Sequence, residues 1–244
     1  MKWLGRMNKF SVIVADCPWK MKDDLKFSET KRGASINYDT ISTDELCKLK
    51  VNELADSDGC VLALWVLGSM LKDGMRVMES WGFQQKSCFV WNKVVKDPFK
   101  GGKETNLNNI TTVGMGWLFR QSHELCLIGI LGKGIYKQLQ NKSQRSVSFD
   151  PNFGHSVKPD TLQNRLEQMF PFALENGKCL EIFARRRKPG WVAIGNESPM
   201  TYGENINTSI QKLIKISSPE DGNNLSFNHD QQELFELWKK ISTD

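Results

Sequence analysis

No pair of cysteines stands at Cys-x-x-Cys spacing, no apolar run reaches the roughly 18 residues of a membrane span, and no segment repeats or collapses into low complexity. Each absence removes a class of protein. The six cysteines, at 17, 47, 60, 88, 126 and 179, sit mostly inside apolar runs such as 60–64, which points to buried, reduced thiols rather than a disulfide framework or a metal site. Met1-Lys2-Trp3-Leu4-Gly5-Arg6 leads into no apolar stretch of a secretory signal. A reducing, intracellular compartment is expected. Charge of one sign is in small excess: 33 Lys and Arg against 28 Asp and Glu leave a net +5. That bias suits a polyanionic partner without requiring one.

With 39% apolar and 25% charged side chains, the 244 residues can build one sizeable core. One domain is expected over residues 1–200, with an extension at 201–244 packing on it. Short apolar runs at 10–15, 60–67, 87–91, 124–130, 179–184 and 191–194 are rich in β-branched residues and do not alternate, as in strands buried on both faces. Helical patterns lie between them. Ser42-Thr43-Asp44-Glu45 is a capping-box signature, 68–81 is mixed apolar and polar, and 159–170 opens on a proline. The alternation predicts an α/β sheet covered by helices. Polar, glycine-containing segments at 20–37, 96–116 and 132–154 read as loops after strands, where such sheets bind ligands. Beyond Asn196 the sequence is polar, with a linker at 217–224 and a final helix whose stripe is Leu234, Phe235, Leu237, Trp238 and Ile241.

Asp16-Cys17-Pro18-Trp19 follows the first apolar run directly. An exocyclic amine on a purine is a poor nucleophile because its lone pair is delocalised into the ring, and two acceptors aimed at its two N–H groups would localise that pair. Asp16 supplies a carboxylate and Cys17 a backbone carbonyl, which Pro18 holds in extended geometry. Trp19 offers an aromatic face for stacking. The same four residues also read as a strand end, a breaker and a core tryptophan.

Further pieces appear downstream in order: Tyr38-Asp39-Thr40-Ile41, Leu64-Trp65-Val66, Trp81-Gly82-Phe83, Trp91-Asn92-Lys93, Arg120 with His123-Glu124, His155-Ser156-Val157-Lys158-Pro159, Glu181 to Arg186, and Gly190-Trp191 with Gly195-Asn196-Glu197. From Phe10 to Glu197 the chain resembles the MT-A70 family of adenine-N6 methyltransferases, and in its compactness the bacterial and phage DNA adenine methyltransferases among them. The resemblance implies a Rossmann-like class I methyltransferase sheet with helices on both faces in permuted order, the catalytic motif preceding the cofactor strand. It implies S-adenosyl-L-methionine as methyl donor and nucleic acid as substrate, DNA in preference to RNA. No membrane partner is expected, since no apolar run is long enough to span one, and the location is cytoplasmic if the gene is bacterial or phage-borne. A homodimer or a paralogous subunit fits the family, as does a non-catalytic nucleic-acid-binding subunit of the same fold.

By the same resemblance, Asp16 also lies near the ammonium of the cofactor's methionine end, and Lys158, before a helix opening at Pro159, faces its carboxylate. Arg185 contacts the ribose, Asn196 and Glu197 the adenosine, and Glu181 supports the pocket. Trp19, Asn92, Lys93, Arg120 and Glu124 touch the target. Arg185-Arg186-Arg187-Lys188 reads equally as a solvent-facing or phosphate-binding turn, and His155 as a satisfied loop histidine. Trp65, Trp81, Trp91 and Trp117 read as core. Two departures stand out. Cys17 replaces the first proline of the usual Asp-Pro-Pro-Trp, which frees an extra N–H and loosens the loop; a covalent role for its thiol is the other possibility it raises. The strand at 179–184 has no Gly-x-Gly loop, and because few residues precede Phe10, another segment is expected to close the adenine pocket.

Overall fold

The computed structural model describes residues 9–21, 40–96, 110–112, 114, 118–152, 157–195, 198 and 205–217. Its elements, in chain order, are β1 (Val12–Ala15), α1 (Thr43–Cys47), β2 (Cys60–Val66), α2 (Leu71–Ser80), β3 (Gln84–Val94), β4 (His123–Leu131), α3 (Ile135–Gln138), β5 (Val147–Pro151), α4 (Thr161–Met169), α5 (Pro171–Glu175), β6 (Cys179–Ile182), β7 (Trp191–Ile194) and α6 (Ile206–Ser217). The seven strands form one sheet in the order β5-β3-β4-β2-β1-β6-β7. Strand β1 pairs in parallel with β2 and β6, β6 with β7, and β3 with β5, whereas β4 runs antiparallel to both neighbours. This is a Rossmann-like α/β sheet whose aspartate-bearing strand precedes β6 in the chain.

Every residue of β1 and β2 is buried, because both sheet faces are covered. Successive side chains point to opposite faces. Ile13, Ala15, Leu62 and Leu64 join a core roofed by α1, α2 and α6 through Leu46, Val77, Met78, Ile210 and Leu213. Val12, Val14, Ala63 and Trp65 join a second core roofed by α3, α4 and α5 through Ile135, Leu162, Leu166 and Ala173. Each fully buried aliphatic side chain contributes about 1.5–3 kcal/mol. The capping box at α1 is present: the Glu45 N–H donates to Ser42 Oγ at 3.3 Å and the Ser42 N–H to Glu45 Oε2 at 3.0 Å. Trp65, Trp81 and Trp91 are buried as expected, the last two donating their indole N–H groups to the Leu46 and Asp150 carbonyls. Trp117 lies outside the described residues.

Several expectations need correction. Residues 132–154 are not one ligand-binding loop: they hold α3 and β5, and because β4 is antiparallel the turn after it leaves from the opposite edge of the sheet. Strand β5 escapes notice because it is an edge strand with an inverted pattern, Ser148 buried while Val147 and Phe149 are exposed. Helix α4 starts at Thr161 with Asp160 as N-cap, so Pro159 stands two positions before the helix rather than in its first turn. The region after Asn196 is not uniformly irregular, since α6 buries Ile206, Ile210 and Leu213 at i, i+4 and i+7 in the same core as β1. The helix expected near Leu234 lies outside the described residues.

Strand β1 is the switch point: the chain moves to β2 on one side and later returns to β6 and β7 on the other. A crevice therefore opens beyond the carboxyl ends of β1 and β6. The antiparallel sense of β4 brings its first residues, His123 and Glu124, to that same edge.

Candidate active site

Asp16 is the first residue past β1, and its N–H donates to the Ile182 carbonyl of β6 at 3.4 Å. Alternation along β1 places its side chain on the face of Val12 and Val14. There Lys158, carried by the segment before α4, sets its Nζ 2.8 Å from Asp16 Oδ2 and 3.3 Å from Glu124 Oε2. Glu124 Oε1 in turn lies 2.5 Å from Lys93 Nζ. The result is an alternating row, Lys93, Glu124, Lys158, Asp16, contributed by β3, β4, the approach to α4 and β1. Two tryptophans floor it: Lys93 lies 4.9 Å from the Trp91 ring centroid and Lys158 5.7 Å from that of Trp65.

The row is mutually stabilising. Burial opposes the Lys158 ammonium, but Asp16 and Glu124 outweigh it and hold its pKa above the ordinary lysine value. Burial likewise opposes the Glu124 carboxylate, but Lys158 and Lys93 hold its pKa below the usual carboxyl range. Glu181 behaves oppositely. Burial pushes its pKa up, Asp16 adds to the rise, and the Gln163 amide, donating to Oε2 at 3.0 Å, only partly offsets both.

Val14, Asp16, Trp65, Lys158, Gln163, Glu181, Phe183 and Arg185 line the crevice. Phe183 adopts φ +65°, an unusual backbone for a non-glycine residue, at the turn that carries the chain from β6 to Arg185. Gly195, past the end of β7, admits no side chain: a Cβ would stand 2.3 Å from the Ala184 carbonyl oxygen. Arg186 bonds the Asp160 carboxylate and the Lys158 carbonyl. Asn196, Glu197 and His155 lie outside the described residues.

The tetrapeptide is arranged differently from its sequence reading in two respects. Cys17 is 4% exposed, and burial, then Asp16, drives its thiol pKa well above normal, which disfavours the thiolate that a covalent role would need. Its carbonyl already accepts the Trp19 N–H at 2.9 Å in a γ-turn about Pro18, leaving one lone pair. Trp19 is 5% exposed and donates its indole N–H to the Trp65 carbonyl at 3.1 Å, so in this structure the ring expected to stack on a base is packed in the core. Asn92 pairs with His123, one step from the Trp91 and Glu124 pair, and so projects to the sheet face opposite the ionic row. Arg120 is exposed on the β3–β4 connection. The ionic row thus gathers Asp16, Lys158, Glu124 and Lys93, and the crevice adds Glu181 and Arg185. Sequence reasoning missed Gln163, whose only signal is a polar residue between Leu162 and Leu166 on the buried face of α4.

Among the described residues no group of His, Cys, Asp and Glu could hold a metal ion, and no helix is long and apolar enough to cross a membrane.

Residues 10–197 match the MT-A70 family. The chain is 29% identical over 206 residues to the type II methyltransferase M.MunI of Mycoplasma sp., covering 78% of each protein. It is 28% identical over 217 residues to an N(6)-adenosine-methyltransferase MT-A70-like protein of Arabidopsis thaliana, covering 88% of this chain and 27% of that one. It is 26% identical over 194 residues to the catalytic subunit METTL3 of Homo sapiens, covering 78% of this chain and 28% of that one. The chain thus spans little more than a quarter of the length of these two eukaryotic relatives. Its seven-stranded sheet is the class I methyltransferase architecture, and the chain belongs to the MT-A70 family of adenine-N6 methyltransferases.

Proposed function

We propose that the protein transfers a methyl group from S-adenosyl-L-methionine to the N6 amine of adenine in DNA. The observation that carries this reading is the adjacent carboxylate and ammonium of Asp16 and Lys158, 2.8 Å apart in a crevice at the β1/β6 switch point. A side-by-side carboxylate and ammonium complement an amino-acid zwitterion, so the donor set fits the methionine end of the cofactor. The bound cofactor would supply an electrophilic sulfonium methyl group. Lys158 would hold its carboxylate and Asp16 its ammonium. Arg185 would meet the ribose, with Glu181 and Gln163 behind it. Asn196 and Glu197 remain the adenosine contacts inferred from the resemblance.

For the target, Asp16 and the remaining lone pair of the Cys17 carbonyl accept the two N–H groups of the amine. Its nitrogen lone pair, no longer shared fully with the ring, attacks the methyl carbon. The N–C bond would form as the donor's S–C bond broke, with the cofactor leaving as a neutral thioether. The nitrogen is cationic at that point, so its proton departs to water without a base of matched pKa. The base reaches the crevice by leaving the duplex stack. Lys93, Arg120 and Glu124 contact the target strand, whereas Asn92, on the opposite face of the sheet, does not. DNA is favoured over RNA because the chain matches a compact type II methyltransferase along most of both lengths, and because the motif series resembles the compact DNA enzymes.

Incubation with methyl-labelled cofactor and either duplex DNA or RNA tests this reading. Label in N6-methyladenine of DNA is the expected result; label only in RNA, or in cytosine, overturns it.

A further inference from the structure

Leu118 is 93% exposed and Phe119 82%, the two most exposed large apolar side chains among the described residues. They are adjacent in sequence and lie on the connection between β3 and β4, which projects from the sheet edge that carries Asp16. Its root is well anchored. The Lys93 N–H donates to the Ser122 carbonyl at 2.8 Å, the Thr112 N–H to the Lys93 carbonyl at 2.8 Å, and the Gly114 N–H to the Gln121 carbonyl at 2.7 Å. Lys93, at that root, is the outer end of the ionic row that reaches Asp16 through Glu124 and Lys158. Two bare apolar side chains are thus held on a braced support at the catalytic edge, with exposed Arg120 and Gln121 next in the chain.

An exposed apolar pair has a use. A stable interface with a second protein buries roughly 800 Å² on each partner, far more than two side chains can offer. A gap between stacked bases is of the right size and chemistry: it is lined by apolar ring faces, bounded by phosphates within reach of Arg120, and created whenever a base is extruded.

We propose that Leu118 and Phe119 form a wedge that enters duplex DNA at the step vacated by the target adenine, with Arg120 on the neighbouring phosphate. The inference rests on the reading of the protein as a DNA adenine methyltransferase. The wedge holds the duplex open while the base occupies the crevice, so it matters only for a base that must first be unstacked.

The test compares incorporation of labelled methyl groups into unmethylated random-sequence DNA presented as duplex and as separated strands. The double variant Leu118→Ala/Phe119→Ala loses about tenfold or more of its rate on duplex and stays within about twofold of wild type on separated strands. Phe119→Leu, which keeps apolar bulk, restores the duplex rate. An unchanged duplex rate overturns the wedge, and so does an equal loss on both substrates. If that equal loss accompanies a change of oligomeric state in light scattering, the tip is instead a contact between copies of the chain. A wild type active on separated strands alone overturns the wedge but keeps the methyltransferase reading. A wild type that labels adenine in no nucleic acid overturns both.

Discussion

The Nζ of Lys158 lies 2.8 Å from Asp16 Oδ2 and 3.3 Å from Glu124 Oε2, so one ammonium spans two carboxylates that the chain delivers from separate strands. The Lys158 side chain is 19% exposed and the two carboxylates 20% and 16%. Charges this sheltered are costly without partners. The pairing therefore gives each of these sheltered charges a partner of opposite sign.

Asp16→Ala is expected to lower methyl transfer by about a hundredfold or more, since it removes the proposed acceptor of the target amine. Its far-ultraviolet circular dichroism should match wild type. Transfer at the wild-type rate by a folded Asp16→Ala protein would refute the amine clamp.

Lys158→Met leaves Asp16 and Glu124 facing each other with no cation between them, Lys93 lying on the far side of Glu124. The expected cost is about 1–3 kcal/mol of stability in urea unfolding, together with weaker S-adenosyl-L-methionine binding in calorimetry. Unchanged cofactor affinity in this variant would remove Lys158 from the cofactor site.

Stability should respond to pH in opposite directions through two carboxyls. The pKa of Glu124 is depressed on folding, so its ionised form adds stability above the ordinary value of 4.5, and that stability disappears as the pH falls through the folded value. The pKa of Glu181 is raised, so stability is lost as the pH climbs from 4.5 through its folded value. Glu181→Gln is accordingly expected to raise the melting temperature at pH 8 and to change it little at pH 4. The reverse order would contradict the burial-driven shift.

Alkylation should spare Cys17. Its thiol is buried and held neutral, as are those of Cys60 and Cys126, whereas Cys47 and Cys88 are partly accessible. Peptide mass mapping after brief iodoacetamide treatment at pH 8 is expected to find Cys47 and Cys88 modified first. Cys17→Ala should retain methyl transfer, because the clamp uses the backbone carbonyl; its loss in a folded variant would point to the sulfur.

Much of the architecture was legible because it is written locally. Apolar runs marked β1, β2, β6 and β7, and the spacing of Ser42 and Glu45 marked the start of α1. Phe149 and Ser148 misled for an equally local reason: on an edge strand with one partner, burial no longer tracks hydrophobicity. Strand direction is not local at all. That β4 runs against its neighbours follows from the route of the connection, and it is what moves Glu124 to the catalytic edge and the turn at 132–134 away from it.

The sequence by itself determined that Asp16 ends a buried strand, that Cys17 stands where the family carries proline, and that the ordered motifs identify the family. These are properties of neighbouring residues, or of their order. Only the tertiary structure decided that Lys158, 142 positions away, closes on Asp16, that Glu124 couples it to Lys93, and that Trp19 lies within the core. Each depends on which strands become neighbours and in which sense, a choice made by the packing of the whole sheet.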